Sequence, residues 1–252
     1  MTTAIDLNAD LGEDDSPEAM ARDVAIMDII SSCNIACGGH AGSAETMRAM
    51  LVAAKAKGVS AGSHPSYPDR ENFGRKSMEI DPAHLANSLL EQLAAINAAA
   101  SAVQAEITHL KPHGALYNDA QDNEVLADIL VEIARAEKLA LVGMADSIIQ
   151  RKAKKSGLRF IAEAFIDRQY SERCRLVPRT EAGAVIGDDA ARVEQGLALA
   201  RGEPIATAGN QSKIIAAETL CLHSDSDGAL ATATSMKLAL ELEGISIAAP
   251  SA

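Results

Sequence analysis

Hydrophobic and polar positions along the chain repeat one unit: a short β-rich run, a polar cluster at its exit, then apolar residues at helical spacing. Ala4 to Asn8 predicts the first strand, which runs into the acidic stretch Asp10-Leu11-Gly12-Glu13-Asp14-Asp15. Ser16 before Pro17 is a cap followed by a first-turn proline, and Met20, Val24, Met27 and Ile30 mark the buried stripe of the helix it opens. A second strand reaches about Ala36. The glycine-rich turn Cys37-Gly38-Gly39-His40-Ala41-Gly42 then leads to a helix capped by Ser43 and ended by Gly58. Val59 to Ser63, closed by His64-Pro65, predicts a third strand. A polar loop from Tyr67 to Arg75 follows, then a long helix from Asp81-Pro82 through Leu85, Leu89, Leu93 and Ile96.

The fourth unit is the densest. Glu106 to Leu110 reads as a strand that hands over to Lys111-Pro112-His113-Gly114-Ala115-Leu116-Tyr117-Asn118, and a helix with Leu126, Leu130 and Ile133 inward opens at Asp122-Asn123-Glu124. Leu139 to Gly143 and Leu158 to Phe165 predict two further strands, the second leaving through an arginine-rich loop to Pro178-Arg179. A helix runs from about Asp189 to Gly202, residues 203–217 read as a hairpin or irregular insertion, and Thr219 to His223 is the seventh strand, with a final helix closing at Gly244. Strands alternating with helices imply a parallel sheet. Polar clusters follow strands one, two, three, four, six and seven, whereas an open doubly wound sheet brings only the strands at its switch point to one ligand. The pattern therefore predicts a seven-stranded parallel β/α barrel, one domain over residues 1–252, whose strand ends share one mouth.

Composition narrows this. A chain of 252 residues suits one large α/β domain, and 48% apolar residues suffice for a sizeable core. With no Trp, three Phe and three Tyr, that core is aliphatic. An excess of 35 acidic over 23 basic residues argues against nucleic acid, which needs a basic footprint. Against that background Arg168, Arg173, Arg175 and Arg179 form one basic group and Arg70, Arg75 and Lys76 another, read as a local anion site rather than solvated loop charge. No signal segment opens the chain, and no apolar run reaches the roughly 18–20 residues of a membrane helix. Cys33, Cys37, Cys174 and Cys221 form no C-x-x-C pair, which fits reduced thiols and a cytoplasmic location.

The groups expected at the mouth are Asn8, Asp10, Glu13, Asn34, His40, His64, Arg75, Lys111, His113, Tyr117, Glu163, Asp167, Arg168, His223 and Asp225. Four of the six histidines (His40, His64, His113, His223) sit directly at strand exits, while His84 is helical and His109 lies within a strand. Histidines so placed serve as general acid or base or as metal ligands. Asp10, His40 and His64 make a plausible divalent site, but no local ligand pair such as H-x-x-x-H supports it, and no tightly bound cofactor is expected. No G-x-S-x-G occurs, and Cys37 reads as a buried thiol before a nucleophile.

The motifs Asp6-Leu7-Asn8-Ala9-Asp10-Leu11-Gly12-Glu13, Asn34 to Gly42, His64-Pro65, Phe73-Gly74-Arg75, Lys111 to Asn118, Glu163 to Arg168 and Cys221-Leu222-His223 resemble the LamB/YcsF family, in order and over essentially the whole chain. The resemblance implies a distorted β/α barrel similar to the glycoside hydrolase/deacetylase superfamily. It also implies one component of a bacterial ATP-dependent 5-oxoprolinase, which opens 5-oxoproline to glutamate together with subunits B and C. The chain has Ser43 where the family usually has Asp, Gly39 for a bulky residue, Lys76 for Arg and Ser224 for Gly. Ser43 caps a helix as well as Asp does, so that position reads as structural.

Under this reading Asp10, His40, His64, Lys111, His113 and Asp167 are candidate catalytic groups. Arg75, Arg168 and Arg179 are candidates for the phosphates of ATP, the co-substrate, with magnesium. Asn8, Asn34, Tyr117, Glu163 and His223 are candidates for the substrate. Lys111→Ala and His113→Ala are predicted to lose turnover while keeping the fold. Two other readings stay open: a stand-alone metal-dependent hydrolase or deacetylase built on Asp10, His40 and His64, and a ligand-binding subunit without turnover.

Overall fold

A computed structural model of the chain describes residues 4–223 and 228–250. Strands β1 (Ala4–Leu11), β2 (Ser32–Ala36), β3 (Ser60–His64), β4 (Ile107–Leu110), β5 (Ala140–Met144) and β6 (Phe160–Phe165) pair in that order, all parallel. Strand β9 (Thr219–His223) pairs with β6 on one side and β1 on the other, which closes a seven-stranded barrel. Between β6 and β9 lies a small antiparallel hairpin, β7 (Ile205–Ala206) and β8 (Ser212–Lys213), within the segment expected to be an insertion. Strand β10 (Ser246–Ile247), too short at two residues to show in the sequence pattern, adds to the start of β1.

Helices α1 (Pro17–Ile26), α2 (Ala44–Lys57), α3 (Pro82–Val103), α4 (Gly114–Ala120), α5 (Glu124–Ala136), α6 (Ile148–Lys155), α7 (Asp189–Arg201) and α8 (Ala229–Leu242) surround the barrel. Their starts follow local chemistry. Ser16 accepts from Ala19 N ahead of Pro17, Asp81 accepts from Ala83 and His84 ahead of Pro82, and Ser43 with Thr46 forms a reciprocal capping box. Ser43 is thus occupied by its helix. The stripe Leu85, Leu89, Leu93 and Ile96 of α3 is fully buried, each residue contributing roughly 1.5–3 kcal/mol of apolar transfer. No helix among the described residues is long and apolar enough to cross a membrane.

Alternation along β1 sends Ile5, Leu7, Ala9 and Leu11 to the apolar layer beneath the helices, while Asp6, Asn8 and Asp10 join hydrogen-bond networks with residues of the neighbouring strands. The barrel interior is consequently polar. Asp6 accepts from Ser31, Ser32 and Thr219 at the closed end; burial pushes its carboxyl up. One layer higher, Asn8 donates to Glu163 and Thr219, Asn34 donates to Asn8 and Asp10, and His109 Nε2 meets Asn34 Oδ1 at 2.9 Å. Burial lowers His109 to about 4, so it sits there as a neutral donor.

Gly39 shows how tightly the loops above are packed. A Cβ at Gly39 would lie 2.3 Å from Gln92 Oε1 and 2.5 Å from Ser66 Oγ. Gln92 spans the buried backbone of Ser66, accepting from its N–H at 3.0 Å and donating to its C=O at 2.9 Å. Gly39→Ala is expected to displace that amide and cost about 1–3 kcal/mol of unfolding free energy, the range for stranding buried polar groups. Urea unfolding checks this; an unchanged midpoint would mean that Gln92 gives way without losing Ser66.

Candidate active site

Strand β1 continues to Leu11, beyond the predicted end at Asn8, because it has parallel partners on both sides: Asp10 lies opposite Asn34 of β2 and His223 of β9. Gly12 then takes a left-handed turn (φ 71°) with its N–H held by Asp23 at 2.8 Å, and Glu13 lies over the barrel mouth. His64 ends β3. Pro112 and His113 leave β4, with His113 directly ahead of helix α4, an element the sequence pattern does not predict. The loop Phe73-Gly74-Arg75 locks onto this exit. Gly74 O accepts from Ala115 N at 2.9 Å, and a Cβ on left-handed Gly114 would lie 2.5 Å from that same oxygen.

At the floor, Lys111 Nζ lies 2.9 Å from Asp10 Oδ1, 2.8 Å from Glu163 Oε1 and 3.1 Å from Cys221 Sγ. Burial opposes the ammonium, yet Asp10 and Glu163 overcome it and hold Lys111 well above the usual amine range. Burial likewise pushes Asp10 up, and His64 and Lys111 more than reverse it, keeping the carboxyl well below its ordinary value. Tyr117 lies against Glu163; burial and that carboxylate keep its phenol protonated.

Beside this floor stand three histidines. His40 Nε2 is 3.0 Å from Glu13 Oε1, and His113 Nδ1 is 3.2 Å from the same oxygen. His64 Nε2 is 3.0 Å from His113 Nδ1 and 3.3 Å from Asp10 Oδ2. Burial lowers His40 to about 3 and lowers His113 as well, against the pull of Glu13. On the opposite wall, His223 Nδ1 donates to Asp167 at 2.8 Å, and the His223 N–H donates to the same carboxylate. Burial raises Asp167, but His223 outweighs it and the carboxyl stays low.

These walls enclose a cavity of about 640 Å³ lined by Asp10, Glu13, His64, Lys111, His113, Tyr117 and His223, with Arg75, Arg168 and Arg179 also among its lining residues. Several expected roles change with this placement. Asn8, Asn34 and Glu163 lie a layer below the cavity with their polar atoms spent on one another, so they support Asp10 and Lys111 and do not reach a substrate. Asp167 stands behind His223. Arg168 donates Nε to Ala184 O and Nη2 to Val177 O, which commits it to shaping the arginine-rich loop; Arg75 and Arg179 line the same cavity. His40 meets Glu13 and not Asp10, so the expected trio Asp10, His40 and His64 is not the metal-type cluster the fold assembles.

Glu13 carries no assigned role in the sequence pattern. Its signal is Gly12, whose left-handed turn carries the carboxylate back over the strand end. Cys37 is no nucleophile: its thiol donates to Ile35 O, accepts the His64 N–H, and is pushed by burial to about 12. Ser224 and Asp225 lie outside the described residues.

Comparison with known proteins agrees with this architecture. The chain superposes on a lactam utilization protein from Thermus thermophilus with a TM-score of 0.89 and 33% identity, covering 98% of this chain and 100% of that one. A putative cellobiose-phosphate cleavage protein from Enterococcus faecalis V583 (TM-score 0.61, 13% identity, 98% and 97% covered) shares the fold. So does a family 4 carbohydrate esterase from Streptomyces lividans (0.54, 12%, 99% and 93%). The LamB/YcsF family model matches residues 5–252. The chain belongs to the LamB/YcsF family.

Proposed function

We propose that this chain is the lactam-handling subunit of an ATP-dependent 5-oxoprolinase, working with partner subunits B and C in the cytoplasm. Supporting this reading are its family and a relative described as a lactam utilization protein. The observation that carries it is the cavity: a floor of Asp10 and Lys111 with His64, His113 and His223 around it and Arg75 and Arg179 also in the lining, of a size suited to a small anionic amide.

A five-membered lactam resists water because its amide is resonance-stabilised and its nitrogen is a poor leaving group. Transfer of the ATP γ-phosphoryl group to the lactam oxygen, with magnesium on the nucleotide, makes the ring carbon electrophilic. Water then adds there, the C–N bond opens and phosphate departs; lactam, ATP and water become glutamate, ADP and phosphate. In this scheme Arg179 pairs with the substrate carboxylate and Arg75 with phosphate charge, each as a forked donor. His223, oriented by Asp167 through Nδ1, takes the proton of the attacking water in the manner of a His-Asp pair.

The test is reconstitution. Purified chain, subunits B and C, 5-oxoproline, ATP and magnesium are expected to yield glutamate and phosphate together, and omission of this chain is expected to abolish glutamate. Glutamate formed equally without it would remove the proposal. Arg179→Ala is expected to raise KM for 5-oxoproline roughly 10- to 100-fold with a smaller change in kcat, the loss of one charge-assisted pair.

A further inference from the structure

Two of the three histidines at the mouth turn ring nitrogens toward each other and toward two carboxylates, an arrangement that either a shared proton or a metal cation completes. A backbone carbonyl only accepts hydrogen bonds. His64 Nδ1 lies 2.8 Å from Lys111 O, so that nitrogen carries the proton and a neutral His64 turns the Nε2 lone pair to the cavity. His113 Nε2 lies 3.0 Å from Phe73 O, so the lone pair of a neutral His113 is on Nδ1. The two lone-pair nitrogens face each other at 3.0 Å. Glu13 Oε1 stands 3.2 Å from one and 3.9 Å from the other, and Asp10 Oδ2 is 3.3 Å from His64 Nε2. Four electron-rich atoms, three of them on buried residues, thus converge at the wall of the cavity.

The spacing fits an ion. Bonds of about 2.0–2.1 Å in a tetrahedral site hold ligand atoms about 3.3 Å apart; the separations of 3.0, 3.2 and 3.9 Å among Glu13, His64 and His113 bracket that edge, and Asp10 Oδ2 adds a fourth oxygen 3.3 Å from His64 Nε2. The His64 and His113 rings are perpendicular, so a single point can lie in both ring planes. His40 cannot share that point. Its ring stacks on His113 at 3.6 Å with 3° between planes, so an ion in the plane of His113 lies well out of the plane of His40. The lining residues agree: Asp10, Glu13, His64 and His113 all border the 640 Å³ cavity, whereas His40 borders the neighbouring depression beside Gly42 and Arg70. Charge points the same way, since Asp10 and Glu163 share one ammonium, that of Lys111, while Glu13 Oε1 lies among the imidazoles of His40, His64 and His113.

We propose that Asp10 Oδ2, Glu13 Oε1, His64 Nε2 and His113 Nδ1 bind one divalent transition-metal ion, with His40 as a positioning residue that fixes Glu13 through Nε2. Two imidazoles with two carboxylates are a donor set for zinc, manganese, iron(II) or cobalt(II) and not for a magnesium ion that prefers oxygen alone. Such an ion supplies Lewis-acid chemistry at the cavity wall. The proposal stands on side-chain geometry and is independent of the 5-oxoproline reading, so either can fail without the other.

The test uses the full chain, stripped with a chelator and titrated with cobalt(II). Expected are visible d–d absorption of a four- or five-coordinate site, about one cobalt per chain by elemental analysis, and a rise in the unfolding temperature on binding. Glu13→Gln and His113→Ala are expected to lose the absorption, and His40→Ala to keep it with affinity about 10- to 100-fold weaker. Wild-type chain that takes up no cobalt and shows no thermal shift overturns the proposal and leaves a proton between the two imidazoles as the occupant. Loss in His40→Ala as complete as in His113→Ala overturns the choice of ligands. The wild-type titration decides the first point even if a variant fails to fold.

Discussion

Lys111→Ala is expected to lower the unfolding free energy by about 3–5 kcal/mol, besides abolishing turnover, because it removes the ammonium shared by two buried carboxylates. Lys111 is 2% exposed and is the cation between Asp10 and Glu163, each within 2.9 Å of Nζ. The cluster as a whole need not be worth much, since burying three charges costs desolvation on every one. Its breakage is a different matter, because two carboxylates then face each other without the charge that separated them. Urea unfolding of Lys111→Ala measures the loss. Adding Glu163→Gln in the same chain is expected to recover part of it, because one of the two negative charges is then gone. A Lys111→Ala chain as stable as wild type would refute this account of the floor. Burial is what revises the sequence-based expectation here, in which Lys111→Ala is folded and merely inactive.

His113→Ala is expected to reduce glutamate formation in the reconstituted system by about 10²- to 10⁴-fold, the range spanned by proton-transfer groups. The ring is the meeting point of the site: it stacks on His40, meets the edge of Phe73, and brings Nδ1 to Glu13 and His64. Its backbone is held independently through the N–H bond to Pro65 O, so the strand exit keeps its course when the ring is removed. Circular dichroism is expected to report a folded chain, and His84→Ala, an exposed change on α3, is expected to leave turnover unchanged. Turnover of His113→Ala near the wild-type value would take His113 out of the chemistry and leave the scheme to His223 and the two arginines.

The parts of the molecule legible in the sequence are those set by local rules. Helix starts at Ser16-Pro17, Ser43 and Asp81-Pro82 follow from a capping side chain and a proline, and all three are where those residues predict. Strand count and the closed barrel were legible because polar clusters follow so many strands. Helix α4 was not, since Gly114 at a helix start reads as a turn; its backbone is fixed from outside by Gly74. The depth of each polar residue was also illegible. Asn8 and Asp10 are two positions apart and share one face, and only the stagger of neighbouring strands puts one below the cavity and the other at its floor.

By itself, then, the order of residues determined the elements, their parallel pairing and the family, because propensity, capping and alternation act over a few positions. Only the tertiary structure decided the partners of the polar groups. His64 and His113 are 49 positions apart, and their tautomers are set by carbonyls of Lys111 and Phe73 that no spacing rule connects to them. Side-chain chemistry at the mouth depends on distances of about one hydrogen bond. Such distances exist only once the closed barrel holds every strand end in register.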